Sequence, residues 1–79
     1  MTSTALIRTV PYDGFEIQAS ASLRGTMWYP AYKISRNGEV ISPWRSPDID
    51  GRGSEDSACD WGVTLAISDI DIGLKEIFS

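Results

Sequence analysis

With 79 residues, 42% of them hydrophobic, seven glycines and four prolines, the chain has the composition of one small globular domain and is too apolar for disorder. It has no histidine and one cysteine, Cys59, so the commonest general base, the commonest neutral metal ligand and any internal disulfide are excluded. The net charge of −4 is uneven: residues 1–47 hold five basic and three acidic side chains, residues 48–79 two basic and eight acidic. This division implies charge complementarity within the fold, or an acidic surface for a basic partner. No window approaches the run of about 20 apolar residues that spans a membrane, and the N-terminus lacks the basic start and apolar core of a signal peptide. A cytoplasmic chain with no membrane association is expected.

Two dipeptides, Asp13-Gly14 and Asn37-Gly38, predict hairpins, because a two-residue type I′ turn needs positive φ at both central positions and these residues tolerate it. The first turn opposes Tyr12 to Phe15 and Val10 to Ile17, gathering Leu6, Val10, Tyr12, Phe15 and Ile17 on one buried face. The second opposes Arg36 to Glu39, Ile34 to Ile41 and Tyr32 to Pro43. Its other face carries Tyr29, Ala31, Lys33, Ser35, Val40, Ser42 and Trp44, a mixture suited to solvent or a partner. Leu23-Arg24-Gly25-Thr26 reads as the turn between the hairpins, and Pro30 requires a bulge or an edge position. Strands are expected at about 4–11, 15–21, 27–35 and 39–44, forming a four-stranded antiparallel β-meander.

After a Pro- and Gly-containing loop from Ser46 to Gly53, Ser54 is a suitable N-cap, and Glu55 and Asp56 stand where the helix dipole favours negative charge. A helix is predicted over about 55–68 and packs on one face of the sheet, so the fold class is α+β. Ala58, Trp61, Leu65 and Ile72 form one stripe, with Gly62 beside it allowing close approach. Val63, Ile67, Ile70, Leu74 and Ile77 form a second, nearly opposite. One straight helix cannot bury both on one sheet, so either the helix ends near Ser68 and Asp69 or another chain covers the second stripe. Residues 70–79 fit a helix or an alternating strand equally.

Candidates for chemistry are sparse. Asp48-Ile49-Asp50-Gly51 has the alternating carboxylates of a cation loop, but Arg52 and Cys59 stand where an EF-hand needs ligands, so helix entry is the simpler reading. Cys59 lacks a histidine partner and sits among Glu55, Asp56 and Asp60, which disfavours a thiolate. Gly51-Arg52-Gly53 lacks the P-loop lysine and the Rossmann spacing. No catalytic residue, cofactor or metal site is expected.

Tyr12-Asp13-Gly14-Phe15-Glu16-Ile17, Ile34-Ser35-Arg36-Asn37-Gly38 and Ser54-Glu55-Asp56-Ser57-Ala58 with Trp61-Gly62 together resemble a group of short bacterial proteins of unknown function. Those chains share a Tyr-x-Gly-aromatic-x-Ile opening, a β-meander and a C-terminal helix. The resemblance covers about residues 10–72 and implies a fold, with no activity or site to carry over.

The surplus of apolar stripes and aromatics over what two layers can bury points to a non-enzymatic module that binds a protein partner or forms a homodimer. The candidate contact residues are Tyr29, Lys33 and Trp44 on the sheet and Ile67, Ile70 and Leu74 on the helix. The alternative is single-stranded nucleic-acid binding through Tyr29, Lys33 and Trp44, with Arg45 adjacent. The net negative charge, lacking a broad positive field, argues against that alternative.

Overall fold

The computed structural model describes residues 7–47 and 49–77, and the expected strand start at 4–6 lies outside them. Four strands, β1 (Arg8–Tyr12), β2 (Phe15–Arg24), β3 (Met27–Arg36) and β4 (Glu39–Arg45), form one antiparallel sheet in the order β1-β2-β3-β4. Helix α1 (Glu55–Asp69) crosses β2 and β3 on one face. This is the α+β meander that the turn dipeptides and the N-cap predict. No helix among the described residues is long and apolar enough to cross a membrane.

Asp13, Gly14, Asn37 and Gly38 all hold positive φ, as type I′ turns demand, and the first hairpin has the expected register, Tyr12 opposite Phe15 and Val10 opposite Ile17. The link between the hairpins is tighter than the expected four-residue turn. Arg24 still pairs with Met27, which leaves Gly25 and Thr26 as a two-residue loop with Gly25 at positive φ in its first central position.

Pro30 sits within β3, buried and opposite Ala21. Trp28 exchanges both backbone hydrogen bonds with Arg52, at 2.8 and 2.7 Å, so the polar groups of Trp28, and two residues on those of Pro30, point away from β2. At Pro30 the neighbour on that side is gone, since β4 ends at Arg45 opposite Tyr32. The proline therefore breaks no ladder bond, which is the edge-like position it requires.

The second hairpin departs from the expected register. Arg36 opposes Glu39 and Ser35 opposes Val40, but Ile34 then meets Ser42 rather than Ile41, and Tyr32 meets Arg45 rather than Pro43. Two register shifts place extra residues in β4. Bulges of this kind accommodate a strand proline and re-aim the residues beyond it, and here they bring Arg45 opposite Tyr32.

Ser54 caps α1 by accepting a hydrogen bond from the Ser57 amide at 3.2 Å. The buried helix residues are Ala58, Cys59, Gly62 and Ala66, a seam of small side chains that lies between the two expected stripes. Trp61 and Leu65 on one flank, and Val63 and Ile67 on the other, are half-buried. Both flanks of α1 thus rest on one sheet, and the stripe residues within α1 need no second chain to cover them.

The seam works because the sheet beneath it is also small. A β-carbon on Gly62 would lie 3.3 Å from the Ala31 carbonyl oxygen, 3.4 Å from the Ala19 β-carbon and 3.5 Å from that of Pro30. Ala21, Ala58 and Cys59 form a small cluster with Trp28 at this end. At the other end Phe15, Ile17, Tyr32 and Ile34 pack with Ala66 and Ile70 to form the main core.

After Asp69 the chain continues through a π-helical turn, Ile70–Leu74, into a last α-helical turn, Lys75–Ile77. The strand alternative for this segment is therefore corrected. Ile70, four residues after Ala66, ends the buried seam and is fully buried, whereas Ile72 is 77% and Ile77 71% exposed.

Candidate functional site

Two surfaces remain after the core is assembled. The face of the sheet opposite α1 carries the sheet candidates. Tyr29 and Lys33 lie four residues apart on β3, and Trp44 of β4 approaches them from the edge. Lys33 Nζ is 5.5 Å from the Trp44 ring centroid, and the Arg24 guanidinium is 4.5 Å from that of Tyr29. Each ring already has a cation over one face, at distances where the attraction contributes about 0.5–1 kcal/mol when solvent-exposed. Tyr29 and Lys33 are half-buried and Trp44 is exposed. Arg45 does not belong to this group: it follows Trp44 in the strand and so points to the helix side, where it stands opposite Tyr32.

The second surface is a groove of ≈ 490 Å³ between β4 and the π-helical turn, lined by residues that include Ile41, Pro43, Arg45, Asp69, Ile72 and Ile77. Its geometry follows from the bulges and the widened turn together. Tyr32, projecting from β3 beneath the helix, donates its hydroxyl to Asp69 Oδ2 at 2.6 Å, and Arg45 approaches the same oxygen with Nη1 at 3.5 Å. Two residues on, the Tyr12 hydroxyl contacts both oxygens of Asp71, at 2.9 and 3.0 Å. Two tyrosines rising from the sheet thereby hold the tail in place, and the groove lies beyond them.

Burial pushes the Tyr32 phenol above its ordinary value, and the adjacent Asp69 adds to the shift, since an anion beside a carboxylate in a partly dry site is disfavoured. Tyr32 is therefore a neutral hydrogen-bond donor at physiological pH. At the other end of α1, Arg8 of β1 reaches Asp60, and Asp56 at 3.3 Å. The charge asymmetry between the two halves of the sequence is partly spent in such helix-to-sheet contacts.

The three helix candidates occupy different environments. Ile70 is a core residue with no exposed surface, so its place as a contact residue is corrected: it stands four residues after Ala66, to whose carbonyl its amide bonds, and continues the buried seam of Ala58, Gly62 and Ala66. Ile67 and Leu74 pack half-buried against the main core, and Leu74 also lines the groove. The residues most available at this end are Ile72 and Ile77. Ile72 belonged to the stripe expected to face the sheet, so periodicity alone pointed it the wrong way.

Among the described residues no group of three or more acidic, cysteine or histidine side chains is arranged to hold a metal, and Asp48 of the acidic loop lies outside them. Burial also raises the Cys59 thiol above its ordinary value, which keeps it protonated and unreactive.

Comparison with protein-family models, with curated proteins and with solved structures gives no match. The functional reading therefore rests on the chemistry of these two surfaces, since a meander with one helix is compatible with many activities.

Proposed function

We propose that the chain is a non-enzymatic interaction module whose working surface is the groove between β4 and the C-terminal helical turn, with self-association as its simplest form. The observation that carries this reading is the pair Ile72 and Ile77, 77% and 71% exposed at the rim of an apolar-walled groove. Exposing two large aliphatic side chains together is unfavourable for a domain this small unless a partner covers them. The lone cysteine, buried in the helix–sheet seam, is compatible with a cytoplasmic setting.

Sedimentation equilibrium under reducing conditions tests the reading. The expected result is a mass that rises with concentration from 8.7 kDa toward twice that value. A single species at the monomer mass up to millimolar concentration would refute self-association.

The opposite sheet face supports the nucleic-acid alternative less well. It gathers Arg24, Tyr29, Lys33 and Trp44, but its cations already cover its rings and the net charge of the chain is −4. A stacking platform needs free ring faces and a positive field. Unchanged tryptophan fluorescence on adding a short single-stranded oligonucleotide at low salt is the expected result.

A further inference from the structure

We propose that Asn37-Gly38, at the tip of the β3–β4 hairpin, is a covalent modification site: the Gly38 amide nitrogen attacks the Asn37 side-chain carbonyl carbon, and water opens the resulting imide to an aspartyl or isoaspartyl residue. The chemistry does not depend on what covers the groove.

The step needs no enzyme, metal or oxidant. A bond forms between Gly38 N and Asn37 Cγ while the Cγ–Nδ2 bond breaks, and Nδ2 leaves as ammonia with the proton that Gly38 N gives up. Water then adds across one of the two imide C–N bonds. Breaking the bond to Cγ restores the ordinary main chain with a carboxylate side chain. Breaking the bond to the backbone carbonyl carbon of Asn37 routes the main chain through Cβ and Cγ, one methylene longer.

Three observations place the reaction here. Asn37 is the only asparagine in the chain, and asparagine is among the thermally labile side chains. The residue after it has no β-carbon to crowd the attacking nitrogen; both residues are exposed, and a β-carbon at Gly38 would have nothing within 4 Å. The ladder stops at the pair Arg36 and Glu39, so the Gly38 amide is not one of its donors.

The fold sets the rate. Asn37 holds φ 53° and Gly38 φ 81°, and in a type I′ turn ψ of the first central residue stands at about +30°. Ring closure needs the Asn37 β-carbon and the Gly38 nitrogen nearly eclipsed about the Cα–C bond, which this ψ does not allow. Reaction therefore waits for the tip to open. That opening is local, because β4 pairs with β3 alone and only Arg36 with Glu39 and Ser35 with Val40 are in register before the first shift.

The two products differ in consequence. Asp13-Gly14 closes the first hairpin with φ 53° and 86°, nearly the same turn, so an aspartyl residue at position 37 fits. The isoaspartyl product puts an extra methylene into a two-residue loop, which breaks the closing pair and loosens β4, a wall of the groove through Ile41, Pro43 and Arg45.

The test incubates the full-length wild type and Asn37→Gly, which keeps a turn-compatible dipeptide without the carboxamide, at mildly alkaline pH, both folded and in urea. Mass spectrometry of the tryptic peptide 37–45 reads the conversion. In folded wild type this peptide is expected to gain about 1 Da and split into two chromatographic products, at a rate within roughly 10-fold of that in urea; Asn37→Gly is expected to stay unchanged. Folded protein that keeps Asn37 intact, or converts about 1,000-fold or more slowly than unfolded chain as global unfolding would require, overturns the proposal. Asn37→Asp is expected to melt with fresh wild type, and aged wild type to melt lower in proportion to its isoaspartyl content. An Asn37→Asp protein that melts as low as the aged sample, or an aged sample that melts with fresh protein, overturns the turn-length argument.

Discussion

The seating of α1 on the sheet can be tested at one atom. A β-carbon added at Gly62 would stand 3.3 Å from the Ala31 carbonyl oxygen and 3.4 Å from the Ala19 β-carbon, both held by interior strands that cannot yield like a flexible side chain. For Gly62→Ala, the gain in helix propensity of about 1 kcal/mol opposes an overpacking cost of about 1–3 kcal/mol. The expected net effect is a loss of about 0–2 kcal/mol. Gly62→Val keeps the crowding, adds two methyl groups where the sheet already stands and loses most of the propensity gain, so the expected loss is about 3 kcal/mol or more. For a domain of this size that corresponds to a fall in Tm of roughly 12–24 °C. Thermal unfolding followed by circular dichroism at 222 nm reads both variants. A Gly62→Val protein that melts with the wild type would refute the close helix–sheet contact and the small-residue seam built on it.

Tyr32→Phe removes the donor to Asp69 and is expected to destabilise the fold by about 1 kcal/mol, read from urea midpoints at neutral pH. Burial raises the Tyr32 phenol, so its contribution is complete below the ordinary tyrosine pKa of about 10 and is lost as pH rises through the higher folded value. The wild type is therefore expected to lose its advantage over Tyr32→Phe at strongly alkaline pH; an undiminished difference there would contradict the assignment. Cys59 is fully buried with its thiol pushed up, so iodoacetamide at pH 8 is expected to alkylate native protein at least about 100-fold more slowly than urea-unfolded protein, and similar rates would place the thiol outside the seam.

The fold was legible where local chemistry decides the backbone. Asp13-Gly14 and Asn37-Gly38 specify their turns through φ, and a turn of fixed length sets the register beside it; Ser54 likewise announces the helix. The buried face of α1 was not legible, because hydrophobic periodicity weights large side chains and this helix approaches the sheet through Ala58, Gly62 and Ala66. The register of β4 failed for a related reason: Pro43 signalled an irregularity, but nothing local states how many residues a bulge inserts. That count decides whether Pro43 or Arg45 meets Tyr32, and so decides the floor of the groove.

The sheet candidates Tyr29, Lys33 and Trp44 do share a face, since alternation along β3 is undisturbed and Trp44 stays on the open side. The helix candidates scattered because the two stripes of large residues concealed the seam of small ones between them: Ile70 continues that seam four residues after Ala66 and is buried, whereas Ile72 lies off it and is exposed. The pairing of Asp69 with Tyr32 and of Asp71 with Tyr12 involves partners 37 and 59 positions apart, beyond the reach of any local pattern.

The central claim is that the chain associates through the groove beside the π-helical turn. Amide hydrogen exchange, measured by mass spectrometry across a range of protein concentrations, tests it most directly. The account predicts that exchange in residues 70–77 and in β4 slows as concentration rises, while the β1–β2 hairpin stays unchanged. Exchange in residues 70–77 that is independent of concentration, or protection gained instead around Tyr29 and Lys33, would contradict it.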